Sequence, residues 1–176
     1  MRASAKPPVT RSPSGKPGRR MSPAPKPYHH GDLRRVLRRF RAEIEAALAG
    51  APAGDPLACF RCPGLPYLRW ATRNPTRFEI LSSRRFFDHD KAVGVSADNA
   101  ELIELTERTL AEAFALGQLR SLDLKQVQIA GRALVYGCAR MNIDGHFPRW
   151  GVDGAEAEQT AEAIIDLFIE GIARRT

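Results

Sequence analysis

Apolar residues return at three- and four-residue steps along most of the chain, which is the signature of helices with one buried face. Leu33, Val36, Leu37, Phe40, Ile44, Ala47 and Leu48 form a first stripe, closed by the Ala-Gly-Ala-Pro-Ala-Gly run at 49–54. Asp55-Pro56 reads as an N-cap followed by proline at the first helical position. The next stripe is Leu57, Phe60, Gly64, Leu65 and Leu68, where Pro63 and Pro66 predict a kink or a late helix start. Asn74-Pro75 repeats the cap signal and opens a short helix through Leu81. Residues 84–97 show no clean period and read as a loop.

A helix is predicted from Ser96 to Leu116, with Leu102, Ile103, Leu105, Thr106, Leu110 and Phe114 inward and Gly117 as its C-cap. Ser121 is the expected cap of the following helix, roughly 122–143. That helix is apolar on two sides: Val127, Leu134, Val135 and Cys138 on one, Ile129, Ala133 and Tyr136 on the other. Such a helix sits centrally or in an oligomer seam. A Gly-rich loop at 144–154 carries His146, Phe147 and Trp150. The last helix, 155–174, has inward Ala161, Ile164, Ile165, Phe168, Ile169 and Ile172 against outward Glu158, Glu162, Asp166 and Glu170. No segment reads as a strand. The expected fold class is all-α, with about six helices.

Composition adds that 43% of the residues are hydrophobic, enough for a core, while no apolar run approaches the roughly 18 residues of a membrane span. Three Cys do not make a disulfide scaffold, and the expected compartment is the cytoplasm. Charge changes the picture more. Residues 1–41 hold 12 Lys/Arg and one acid, so they carry +11, while residues 42–176 carry −4. Residues 1–27 also hold seven of the 13 prolines and read as a disordered basic tail.

Two segments resemble the TetR family of bacterial transcriptional regulators. Lys26-Pro27-Tyr28-His29-His30-Gly31-Asp32-Leu33-Arg34-Arg35 resembles the arm that leads into the first helix of its DNA-binding domain. Residues 55–173 resemble its ligand-binding and dimerisation domain, in the subgroup named for Trp, three residues, then His-Gly. The words that carry this are Asp-Pro-Leu-Ala (55–58), Tyr67-Leu68-Arg69-Trp70, Asn74-Pro75-Thr76-Arg77-Phe78 and Arg132-Ala133-Leu134-Val135-Tyr136-Gly137. Arg132 stands at the Trp position and Tyr136 at the His position, and only Gly137 matches the naming motif. The resemblance divides the chain into a tail with an arm remnant, 1–30, and an all-α ligand-binding and dimerisation domain, 31–176. Here the arm runs straight into the first stripe, so most of the family's helix-turn-helix is expected to be missing and direct operator binding with it.

The resemblance implies an apolar small-molecule pocket, for which Tyr67, Trp70, Phe78, Leu81, Phe86, Phe87, Tyr136 and Met141 are the candidates. It also implies a homodimer through the last two helices, with Val135, Cys138, Ile165, Phe168 and Ile172 as candidate interface residues. Arg34, Arg35, Arg38 and Arg39 are candidates for weak contact with nucleic-acid phosphates, against the alternative of a solvated helix face. Cys59 and Cys62 have a C-x-x-C spacing near an expected helix start, which would favour thiolate; two ordinary thiols are the leading reading, and a redox or mercurial-type sensor is the alternative. No second ligand pair completes a zinc site, and no cofactor is expected. His29, His30, His89 and His146 have no nucleophile at a motif spacing, and no phosphate-binding loop occurs, so an enzyme is not expected. The leading expectation is a TetR-like regulator reduced to its sensing and dimerising domain. The alternatives are an interaction protein that heterodimerises with a full-length relative, and a nonspecific nucleic-acid binder acting through the basic head.

Overall fold

In a computed structural model of the protein, the residues described are 30–82 and 93–174, with side chains described for 38–82 and 99–174. The predicted tail, 1–30, lies outside them except for His30, as does the loop carrying Phe86 and Phe87. The chain forms α1 (His30–Ala49), α2 (Pro56–Arg61), α3 (Gly64–Arg73), α4 (Pro75–Ser82), α5 (Val93–Ala115), α6 (Leu124–Ile143) and α7 (Ala157–Ile172), with a short 3-10 turn at Phe147–Trp150. Among the described residues there is no strand, only an isolated bridge between Leu119 and Ala173.

The proline signals act as their chemistry requires. Asp55 accepts a hydrogen bond from the Ala58 amide at 3.0 Å, with Pro56 opening α2. Pro63 ends that turn and α3 starts at Gly64, so the predicted kink is a break into two helices. Pro75 opens α4 directly after α3, and the Asn74 carbonyl accepts from the Phe78 amide at 2.8 Å.

Three expectations are corrected. The helix expected from Ser96 begins at Val93. Asp123, not Ser121, caps α6, accepting from the amides of Lys125 and Gln126. On α5, Ile103 and Phe114 are about half exposed at 45% and 49%, because the inward row runs through Leu110 and Ala113 with Thr109 beside them. Gly117 does turn the chain after α5, at a left-handed φ of +69° that a side chain would resist.

Two apolar clusters build the core. One gathers Tyr67, Leu68, Trp70 and Phe78 of α3 and α4 with Cys138, Ala139, Ala161 and Ile165 of α6 and α7. The other joins Leu57 and Phe60 of α2 to Leu110 and Ala113 of α5 and to Val127 and Ile172. α3 is the hub, packing on α1, α4, α6 and α7. Ion pairs cross between helices: Arg61 of α2 reaches Glu162, at 3.0 Å, and Asp166 of α7, and Arg69 of α3 reaches Glu158 at 2.7 Å. Arg140 of α6 pairs with Glu79 of α4. The acids predicted on the outer face of α7 therefore fasten α2 and α3 to it.

A candidate ligand cavity

The helices line a half-open cavity of about 940 Å³. Phe40 and Ile44 of α1, Phe60 of α2, and Tyr67 and Trp70 of α3 line one side. Phe78 and Leu81 of α4, Leu102 of α5, Val135 and Tyr136 of α6, and Ile165 and Phe168 of α7 complete the wall. The wall is mostly apolar, and its volume lies at the upper end of the range for small-molecule sites.

The helical spacing explains the lining. Tyr67 and Trp70 are three apart on α3, and Arg132, Val135 and Tyr136 recur at three- and four-residue steps on α6, so each helix turns one stripe toward the cavity. The aromatic side chains brace one another. Phe40 lies 5.4 Å from Trp70, and Phe78 lies 5.4 Å from Tyr136 between ring centres. Tyr67 meets Phe78 edge-on at 6.2 Å. The indole nitrogen of Trp70 is buried with no acceptor among the described residues, so the ring is held by its faces. Gly131 gives α6 its close approach: a Cβ there would stand 3.2 Å from the Phe60 ring and 3.3 Å from the Phe168 ring.

Polar groups share the wall, and most are committed; Arg108 faces Glu112 at 3.9 Å and Lys125 donates to Gln128 at 3.1 Å. Gln128 donates to the Ile103 carbonyl and to the Thr106 hydroxyl, both at 2.8 Å, and so ties α6 to α5. Arg41 and Glu101 pair at 2.7 Å, linking α1 to α5. Arg61 is held by Asp166 and Glu162; the donated hydrogen bond to Asp166 raises the guanidinium pKa and holds the Asp166 carboxyl below its ordinary range. Arg132 is different. Its guanidinium lies 4.4 Å from the centre of the Tyr67 ring, and among the described residues it has no carboxylate partner. Burial pushes the Tyr67 phenol up, with the charge of Arg132 pulling the other way.

Of the pocket residues expected from sequence, Tyr67, Trp70, Phe78, Leu81 and Tyr136 stand on this wall. Met141 does not; a turn and a half beyond Tyr136, it packs against the core cluster instead. Phe86 and Phe87 lie outside the described residues. The sequence reading missed Phe40, Phe60 and Arg132. The two phenylalanines sat on stripes read as plain core, and a lone arginine in an apolar helix carries no mark of the face it takes.

The residues expected at a dimer interface turn inward. Cys138 and Ile165 are 4% exposed and Ile172 is 7% exposed, so their surface is spent inside the chain. Val135 and Phe168 line the cavity. The side chains of Arg34 and Arg35 lie outside the described residues, while Arg38 and Arg39 are exposed and Arg39 faces Glu43 at 3.9 Å. The thiolate-favouring alternative does not fit Cys62. Cys62 is the C-cap of α2 rather than near its start, burial raises its thiol pKa, and its Sγ donates to the Ala47 carbonyl at 3.4 Å. Among the described residues no group of three or more His, Cys, Asp or Glu could hold a metal, and no helix is long and apolar enough to cross a membrane.

Residues 64–168 match the family described as Tetracyclin repressor-like, C-terminal domain. The fold is similar to a crystal structure described as a tetR family transcription regulator from Shewanella sp. PV-4, with a TM-score of 0.50 and 21% identity, covering 81% of this chain and 72% of that one. No curated protein matches the chain.

Proposed function

Since the chain belongs to the tetracyclin repressor-like C-terminal domain family, we propose that it is a regulator's sensing module. It binds an apolar small molecule in the cavity between α1 and α7 and pairs with a second copy of itself. The observation that carries this reading is the cavity of about 940 Å³ with a largely apolar wall. A filled cavity favours the helix arrangement that fits the ligand best, and only such differential binding can shift the molecule between states. Phe40 and Ile44 place α1 directly against the occupant, so α1 is the element positioned to move.

Pairing is assigned to the outward faces of the last two helices. On α6, Ala130, Ala133 and Gly137 follow one another at three- and four-residue steps; on α7, Ala163, Leu167 and Gly171 recur every four residues. Leu167 is 69% exposed, and a side chain at Gly137 or Gly171 would meet nothing within 4 Å inside the chain. Small residues around one large apolar side chain suit close helix packing across a two-fold axis. This reading assigns no operator contact to the described residues and no catalytic step.

Titration with the neutral fluorescent probe N-phenylnaphthylamine tests the sensing half. Saturable binding of one probe per chain is expected, and Leu134→Trp, which thrusts bulk into the cavity, should weaken it by roughly tenfold. A probe that never saturates, or that ignores the substitution, counts against the reading.

A further inference from the structure

The cavity's charge pattern points to a more specific occupant, and this step rests on the ligand-binding reading above. We infer that the ligand is an amphiphile with one acidic group: an apolar chain in the cavity and a carboxylate against Arg132. Around the wall, Arg41 is matched by Glu101 and Glu45, and Arg61 by Glu162 and Asp166. Arg132 shares the same wall and has an aromatic ring where the others have carboxylates. Tyr67 is 6% exposed, and the centre of its ring lies 4.4 Å from the Arg132 guanidinium carbon. The ring and the Tyr67 hydroxyl hold the guanidinium in place, and its remaining N–H groups are the charge-assisted donors that suit a carboxylate.

The surroundings select the rest of the molecule. Arg132 is itself exposed, so it stands where the cavity meets solvent, and a headgroup bound there keeps part of its hydration. Beyond it the wall turns to Leu134, Val135, Phe60, Phe78 and Phe168, which accept only apolar matter. Arg132 is the wall arginine without a carboxylate among the described residues, and Lys125 on the same wall donates to the neutral Gln128 at 3.1 Å.

Calorimetry on the full chain separates the possibilities, using octanoate and octanol as probes of matched length. Octanoate should bind roughly tenfold tighter than octanol, the scale of a hydrogen bond to a charged group. Arg132→Gln should abolish that preference while octanol binding is retained, the retained binding showing that the cavity still forms. Arg132→Lys should keep part of the preference, because the charge survives and the guanidinium N–H donors do not. Equal binding of acid and alcohol, or a preference that persists in Arg132→Gln, overturns the acidic ligand and leaves the apolar cavity standing. Failure of both probes to bind overturns the ligand-binding reading itself.

Discussion

Phe78 shows what a single side chain does here. It is 1% exposed and touches Tyr67, Trp70 and Tyr136, with Arg140 of α6 set 5.9 Å from its ring centre. It is at once core and cavity wall. Phe78→Ala should therefore cost about 3–5 kcal/mol in urea unfolding, towards the low end if the cavity lets neighbours relax. Phe78 was legible because Asn74-Pro75 fixes the start of α4 and so fixes which residue points inward. Arg132 was not legible in the same way. Its setting is made by Tyr67, sixty-five positions earlier, and only the packing of α3 on α6 brings the two together.

At the scale of elements, caps were easier to read than faces. Asp55-Pro56 and Asn74-Pro75 each placed a helix start, because proline constrains φ whatever surrounds it. Ser121 and Asp123 are both good caps two residues apart, and only backbone geometry selects Asp123. The acidic face of α7 looked solvated because its partners, Arg61 and Arg69, lie on helices that sequence spacing cannot bring near. The Asp166–Arg61 pair has a pH consequence. The donated hydrogen bond lowers the folded carboxyl's pKa below its unfolded value, so its stabilisation is present above the unfolded pKa and fades as the pH falls through the folded one. Arg61, shifted upward, stays charged throughout the accessible range. Asp166→Asn should cost about 0.5–1 kcal/mol at neutral pH, a part-exposed pair's worth, and the cost should vanish in acid. Chemical denaturation across that range reads both.

The whole molecule was legible as an all-α bundle of this family, while the division between core and interface was not. A helix buried in its own chain and a helix buried against a partner carry the same apolar content, so Val135, Cys138, Ile165, Phe168 and Ile172 gave no sign of facing inward. The outward stripe is quieter in sequence because it is built mainly from alanine and glycine. Leu167→Glu should convert a dimer to monomers in sedimentation without loss of helical signal, and Gly137→Leu should do the same by holding the helices apart. The cavity itself is tested most directly by its own tryptophan. The chain has two, Trp70 on the wall and Trp150, 77% exposed. With Trp150→Phe, Trp70 alone reports, and a bromine-tagged octanol quenches only an indole it nearly touches. Saturable quenching of Trp70 at one equivalent per chain is the predicted result. Trp70 emission that stays unchanged while the bromoalcohol binds would contradict it, placing the ligand elsewhere on the molecule.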